Sequence, residues 1–123
     1  MPTPLAFFLV FLGGGAGSVC RYAVYLLIRP WQTQFPWATL IANALACVAL
    51  GALLGWQQHT LLSDQRRLLL ATGFCGGFST YSTFTAETWG LWESGHGSAA
   101  LANVLLNLAV CVVCLLLGFK LTS

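Results

Sequence analysis

Apolar residues run through the chain in four long blocks separated by short polar stretches. Residues 5–28, 37–56, 68–92 and 99–119 carry almost no charge, and the segments RPWQTQFP, QQHTLLSDQRR and ESGHGS divide them. Crossing a bilayer takes about 20 predominantly apolar residues. The pattern therefore predicts four transmembrane helices and leaves room for little else. Pro30 and Pro36 punctuate the first connection, and Ser63 or Asp64 offers a cap for the helix of the third block. Trp31, Trp37, Trp89 and Trp92 gather at one predicted membrane interface and Trp56 at the other.

Composition narrows the class. Of 123 residues, 58% are hydrophobic and only 7% charged, too few to give a soluble domain its polar surface. An all-α integral membrane protein is expected, with residues 1–123 as a single four-helix domain. The N-terminus lacks the basic start of a signal peptide, so the first block reads as a retained span. A net charge of +2 does not suggest a nucleic-acid partner. Four spans put Arg66, Arg67 and Lys120 on the side of both termini and leave Arg29 on the other. That bias is small under the positive-inside rule and permits insertion in either orientation.

Small residues four apart, Gly13/Gly17, Gly51/Gly55 and Gly73/Gly77, put glycines on one helix face and let backbones approach closely. All five cysteines lie in apolar blocks. Cys111 and Cys114 form a C-x-x-C without a histidine or acid nearby and read as packing residues. No nucleophile–base pair or metal-ligand cluster marks an enzyme.

Packing does not account for every residue. Arg21 lies inside the first block, where a charge costs about 2.5–3.5 kcal/mol on insertion scales and calls for a partner or water. Snorkelling to the nearer interface is the alternative. Asn43 carries donors and an acceptor into the second block, suited either to an anion or to joining helices. Asn103 and Asn107 share a face of the fourth and read as helix-joining residues.

The third block is the informative one. Its stretch GFCGGFSTYSTFTAE places Gly73, Gly76 and Gly77 before Ser79 and Thr80, residue types that weaken a helix. Irregular backbone at membrane depth is tolerated where it is buried or lines a wet cavity. A break there would free carbonyls for a cation and aim the next helix's N-terminus at negative charge. Helical spacing then puts Tyr81 and Phe84 on one face and Thr80, Thr83 and Glu87 on the adjoining one. Hydroxyl donors beside positively polarised ring edges suit an anion path, and hydroxyls bonded to their own helix are the alternative.

Three segments in order, GGGAGSVCRY, FPWATLIANALACVALG and GFCGGFSTYSTFTAE, resemble the Fluc (CrcB-type) fluoride channels. The resemblance extends over all four blocks. It implies an antiparallel, dual-topology homodimer in a bacterial inner membrane, with two fluoride pores and passive export that relieves fluoride toxicity. It also implies a structural sodium ion at the dimer interface, held by backbone carbonyls of Gly76 and Ser79. The family's pore phenylalanines correspond to Tyr81 and Phe84, its polar track to Ser82 and Thr83, and its pore asparagine to Asn43. Arg21 corresponds to a vestibule arginine and Glu87 to the acid of the third span. Two positions depart from the family: Ser79 stands where threonine is common, and Tyr81 where the first pore phenylalanine usually lies. The competing expectation is a small proton-coupled transporter, either a fluoride/proton exchanger or one of the small multidrug-resistance type. The latter needs an acid in its first span, where this chain has Arg21.

Overall fold

The computed structural model describes residues 3–123, and every regular element among them is helical. Helix α1 spans Pro4–Ile28. Thr3 caps it by accepting the Ala6 N–H at 3.1 Å, and Pro4 sits in its first turn, where the missing N–H costs nothing. A 3-10 turn, Arg29–Trp31, ends it at Pro30. Helix α2 spans Trp37–Trp56, and the Gln32 side chain accepts the Ala38 N–H at 2.8 Å near its start. Helix α6 spans Gly97–Thr122, after a turn in which Gly95 takes φ +83°, the left-handed region open to glycine.

These three helices are long and apolar enough to cross a membrane; the first candidate span, Pro4–Trp31, includes the 3-10 turn. At 1.5 Å per residue, the 20 residues of α2 reach about 30 Å, the thickness of a bilayer's hydrocarbon core. Helix α6 begins two residues before the fourth block and ends three after it.

The third block is divided. Helix α3, Asp64–Arg67, starts at Ser63, whose Oγ accepts the Arg66 N–H at 3.2 Å, so Ser63 rather than Asp64 is the cap. The chain continues as a π-helix over Leu68–Cys75 and one closing turn, α4, Gly76–Phe78. Ser79 (φ −81°, ψ 157°) and Thr80 (φ −148°, ψ 122°) are extended, and helix α5 resumes over Tyr81–Glu93.

Two glycine seams hold the bundle. On the first, α1 lies against the π segment and α4: a Cβ on Gly13 would meet the Leu69 carbonyl oxygen, and one on Gly17 the Phe74 carbonyl oxygen. On the second, α2 lies against α6, where a Cβ on Gly51 would meet the Leu115 carbonyl oxygen and one on Gly118 that of Val48. Thr122 locks this seam by donating to the Ala52 carbonyl at 2.7 Å. The buried cluster consists of Ala42, Ala46 and Phe78, while Phe7, Phe11, Leu27 and Val19 are exposed. Small residues inside and large apolar ones outside is the arrangement expected where lipid provides no drive for apolar association and close backbone contact must supply the cohesion.

Gly51→Val and Gly118→Val are each expected to cost about 1–3 kcal/mol, the usual penalty of overpacking. Gly90→Ala, where an added Cβ meets nothing within 4 Å, should not destabilise. Thermal unfolding of the detergent-solubilised protein compares the three.

Candidate functional site

Where Ser79 and Thr80 leave helical geometry, the groups that a helix would pair must find other partners. The Ser79 N–H and its Oγ both donate to the Cys75 carbonyl, at 3.0 and 2.9 Å. In a continuous helix the Thr80 N–H would bond the carbonyl of Gly76. Instead it donates to Asn43 Oδ1 at 2.8 Å, and Gly76 loses its helical donor. Asn43 Nδ2 donates back to the Thr80 carbonyl at 3.4 Å and to Asn107 Oδ1 at 3.3 Å. On the other flank the Arg21 Nε–H donates to the Gly77 carbonyl at 3.2 Å. Arg21 thus does have a partner inside the bundle, and it is backbone.

Thr80 also starts the following helix. Its Oγ1 accepts the Thr83 N–H at 3.2 Å, an N-cap. The N–H groups of Tyr81 and Ser82, in the first turn of α5, have no intrahelical acceptor by the geometry of a helix start, and the helix dipole adds partial positive charge there.

The structure sorts the expected site residues into two groups. Asn43, Tyr81 and Phe84 line one open cavity of about 550 Å³ beside Ser79 and Thr80. The rings of Tyr81 and Phe84 lie 5.8 Å apart, tilted by 60°, and Tyr81 is 81% exposed. Arg21, Thr83 and Glu87 line a second, smaller cavity of about 190 Å³. Thr80 borders both cavities. Ser82 and Gly76 are both exposed and line neither.

Glu87 links the smaller cavity to a cleft of about 300 Å³ lined by Gln32, Gln34, Ser94 and His96, and its Oε1 is buried without a hydrogen-bond partner. Glu87 therefore borders both the cleft and the cavity that holds Thr83 and Thr80.

Sequence reasoning passed over Thr39, which is buried beside Glu87 and Arg21 in the smaller cavity. A signal for it existed: Thr39 lies one helical turn before Asn43, on the same face. Asn107 was expected only to join helices, and it also borders the larger cavity. The cysteines are free thiols; Cys75 is buried and Cys111 lines the larger cavity. Among the described residues no group of three or more histidine, cysteine or acidic side chains converges on a metal position.

Comparison with known proteins adds what geometry alone does not carry. The family model described as "CrcB-like protein, Camphor Resistance (CrcB)" matches residues 8–119. The chain is 44% identical over 115 residues to the fluoride-specific ion channel FluC of Pyrococcus furiosus, covering 92% of each. It is 43% identical over 113 residues to the protein of that name from Serratia proteamaculans, covering 91% of this chain and 89% of the relative. A third, from Azobacteroides pseudotrichonymphae, is 38% identical over 118 residues and 94% of both chains.

Replacing the cap by Thr80→Ala is expected to lower stability by about 0.5–2 kcal/mol, and Thr80→Ser to restore most of it. Thermal unfolding in detergent reads the difference.

Proposed function

We propose that this chain, which belongs to the CrcB-like family, is a multi-pass membrane channel that lets fluoride leave the cytoplasm passively. Its main support is similarity over nine-tenths of the chain to proteins named as fluoride-specific channels, together with a largely apolar cavity whose one polar end lies at Ser79, Thr80 and Tyr81. The activity is permeation, not enzymatic catalysis.

Fluoride is small and holds its water strongly, so a pore must replace that water with donors at close range. The larger cavity offers such groups at its polar end: the Tyr81 N–H at the start of α5 and the edges of the Tyr81 and Phe84 rings, beside Asn43, whose amide hydrogens are engaged by Thr80 and Asn107. The smaller cavity continues the polar lining through Thr80 and Thr83 to Arg21, whose charge favours an anion nearby. Ser82, at the exposed start of α5, belongs to the same track once a second chain covers that face. In acidified surroundings fluoride takes up a proton to form neutral HF, which crosses the membrane and releases that proton in a near-neutral cytoplasm. A passive exit for the anion then suffices without ATP or proton coupling.

The larger cavity is open to the outside at Tyr81, and Tyr81 and Gly76 are both exposed. An antiparallel second copy would close it and give two pores per dimer, and the weak charge bias between the two sides permits both orientations in one bacterial inner membrane. The same assembly would bring two copies of Gly76 and Ser79 together. Their carbonyls fit a sodium ion: Gly76 has lost its helical donor to Asn43, and Ser79 is extended. The ion, when bound, supplies positive charge that satisfies backbone oxygens inside the membrane. Because backbone supplies the ligands, serine at position 79 serves as well as threonine.

Purified protein in liposomes, in sodium-containing buffer, is expected to release fluoride and retain chloride, followed with ion-selective electrodes. No fluoride release above protein-free vesicles overturns the channel reading. Phe84→Ile should slow fluoride release about tenfold or more, the effect of roughly 1.4 kcal/mol on the barrier; undiminished flux removes Phe84 from the path. Exchanging sodium for N-methylglucamine on both sides should reduce fluoride flux and lower the thermal stability of the protein. Identical flux and stability without sodium argue against the cation site.

A further inference from the structure

The hydrogen bonds that begin at the interruption do not stop at Asn43. The Thr80 N–H donates to Asn43 Oδ1 at 2.8 Å, and Asn43 Nδ2 donates to Asn107 Oδ1 at 3.3 Å. Asn107 Nδ2 donates to Asn103 Oδ1 and to the Asn103 carbonyl, both at 2.9 Å. Asn103 Nδ2 donates to Thr88 Oγ1 at 2.8 Å, and the Thr88 hydroxyl donates to the Phe84 carbonyl at 2.8 Å. All donors point the same way. The chain leaves the cap residue of α5, crosses α2 and α6, returns to α5 at Thr88, about two turns along, and ends on the Phe84 carbonyl. Asn103 is 1% exposed and Asn107 7%, so water does not compete for their amides.

An amide can face either way, and its two orientations differ only in which end donates. Thr88 has one hydroxyl proton, committed to Phe84, so its oxygen can only accept from Asn103. That turns the Asn103 oxygen toward Asn107, and the Asn103 carbonyl, which also can only accept, faces the same Asn107 NH2, so two acceptors together turn the Asn107 oxygen toward Asn43. Asn43 must then direct its own oxygen at the Thr80 N–H. Were the Asn43 amide reversed, its NH2 would confront that N–H, two donors face to face in a partly buried site.

We infer that Asn103, Asn107 and Thr88 are positioning residues that set the polarity of the Asn43 amide, so that Thr80 is bonded away from Gly76 and the Gly76 carbonyl stays free. They act through Asn43 and need not touch a permeating ion. The hydrogen-bond consequence stands on the structure alone. The consequence for permeation, that losing this polarity weakens sodium binding and fluoride flux together, rests on the channel reading above.

The test reads the Thr80 amide directly. Full-length protein labelled with 15N-threonine is reconstituted in lipid bicelles, and hydrogen exchange is followed at Thr80, with the Thr72 amide inside the π-helical segment as the reference for wider opening. Asn107→Leu should speed Thr80 exchange about tenfold relative to Thr72, the factor carried by one net hydrogen bond of ~1.4 kcal/mol. Thr88→Val, which leaves all three asparagines in place and serves if Asn107→Leu does not fold, should change it in the same direction. Thr88→Ser keeps the hydroxyl and should exchange as the wild type does. Wild-type Thr80 exchange in Thr88→Val and in any folded Asn107→Leu overturns the inference, as does equal acceleration by Thr88→Ser and Thr88→Val. Fluoride flux from the same preparations separates the two claims. If the wild type passes no fluoride, the channel reading fails while the exchange pattern still decides the role of the amide chain.

Discussion

The Thr80 N–H bonded to Asn43 Oδ1 is the interaction on which the centre of this protein depends. Inside a bilayer a backbone group has no water to turn to, so a helix can be interrupted only where something else takes up the groups set free. Asn43 supplies an acceptor for one of them and a donor for the Thr80 carbonyl. Thr80 then caps the next helix with its own hydroxyl, and Arg21 takes the Gly77 carbonyl. Two extended residues are thereby held between helices by three side chains, and the carbonyl of Gly76 is left without its helical partner.

The rest of the bundle brings those side chains within reach. Asn43 lies on α2 and Arg21 on α1, and each helix is seated by glycines that leave no room for a Cβ at the contact. The first seam holds α1 against the π segment, which carries Arg21 to the interruption; the second holds α2 against α6, which carries Asn43 to Asn107. Cohesion and site are thus linked. A bulkier residue at a glycine seam would separate the same helices whose polar side chains must meet at Thr80.

Much of this was legible residue by residue. The seam glycines other than Gly118 stood out by their spacing, Arg21 by its cost in an apolar block, and the stretch around Ser79 by its low helical stability. Asn103 and Asn107 were visible as a polar pair on one face. Their direction was not, because the orientation of a side-chain amide is decided by partners on other helices. The division of the polar residues into two cavities was likewise hidden. Helical spacing places Thr83 and Glu87 on one face and Tyr81 and Phe84 on another, but not what stands opposite either face.

By itself the sequence determined what depends on short range and on solvent: four apolar blocks, the prolines that break the chain between the first two, and the place where the third is weakest as a helix. These follow from side-chain transfer energies and local backbone preferences, which act within a few residues. Only the tertiary structure decided that the weak point is met by Asn43, 37 residues away, that Asn43 is in turn directed by Asn107, 64 residues further on, and that the segment before it winds as a π-helix. Hydrogen bonds between distant positions exist only once the helices are packed, and in a membrane they decide which backbone groups remain free.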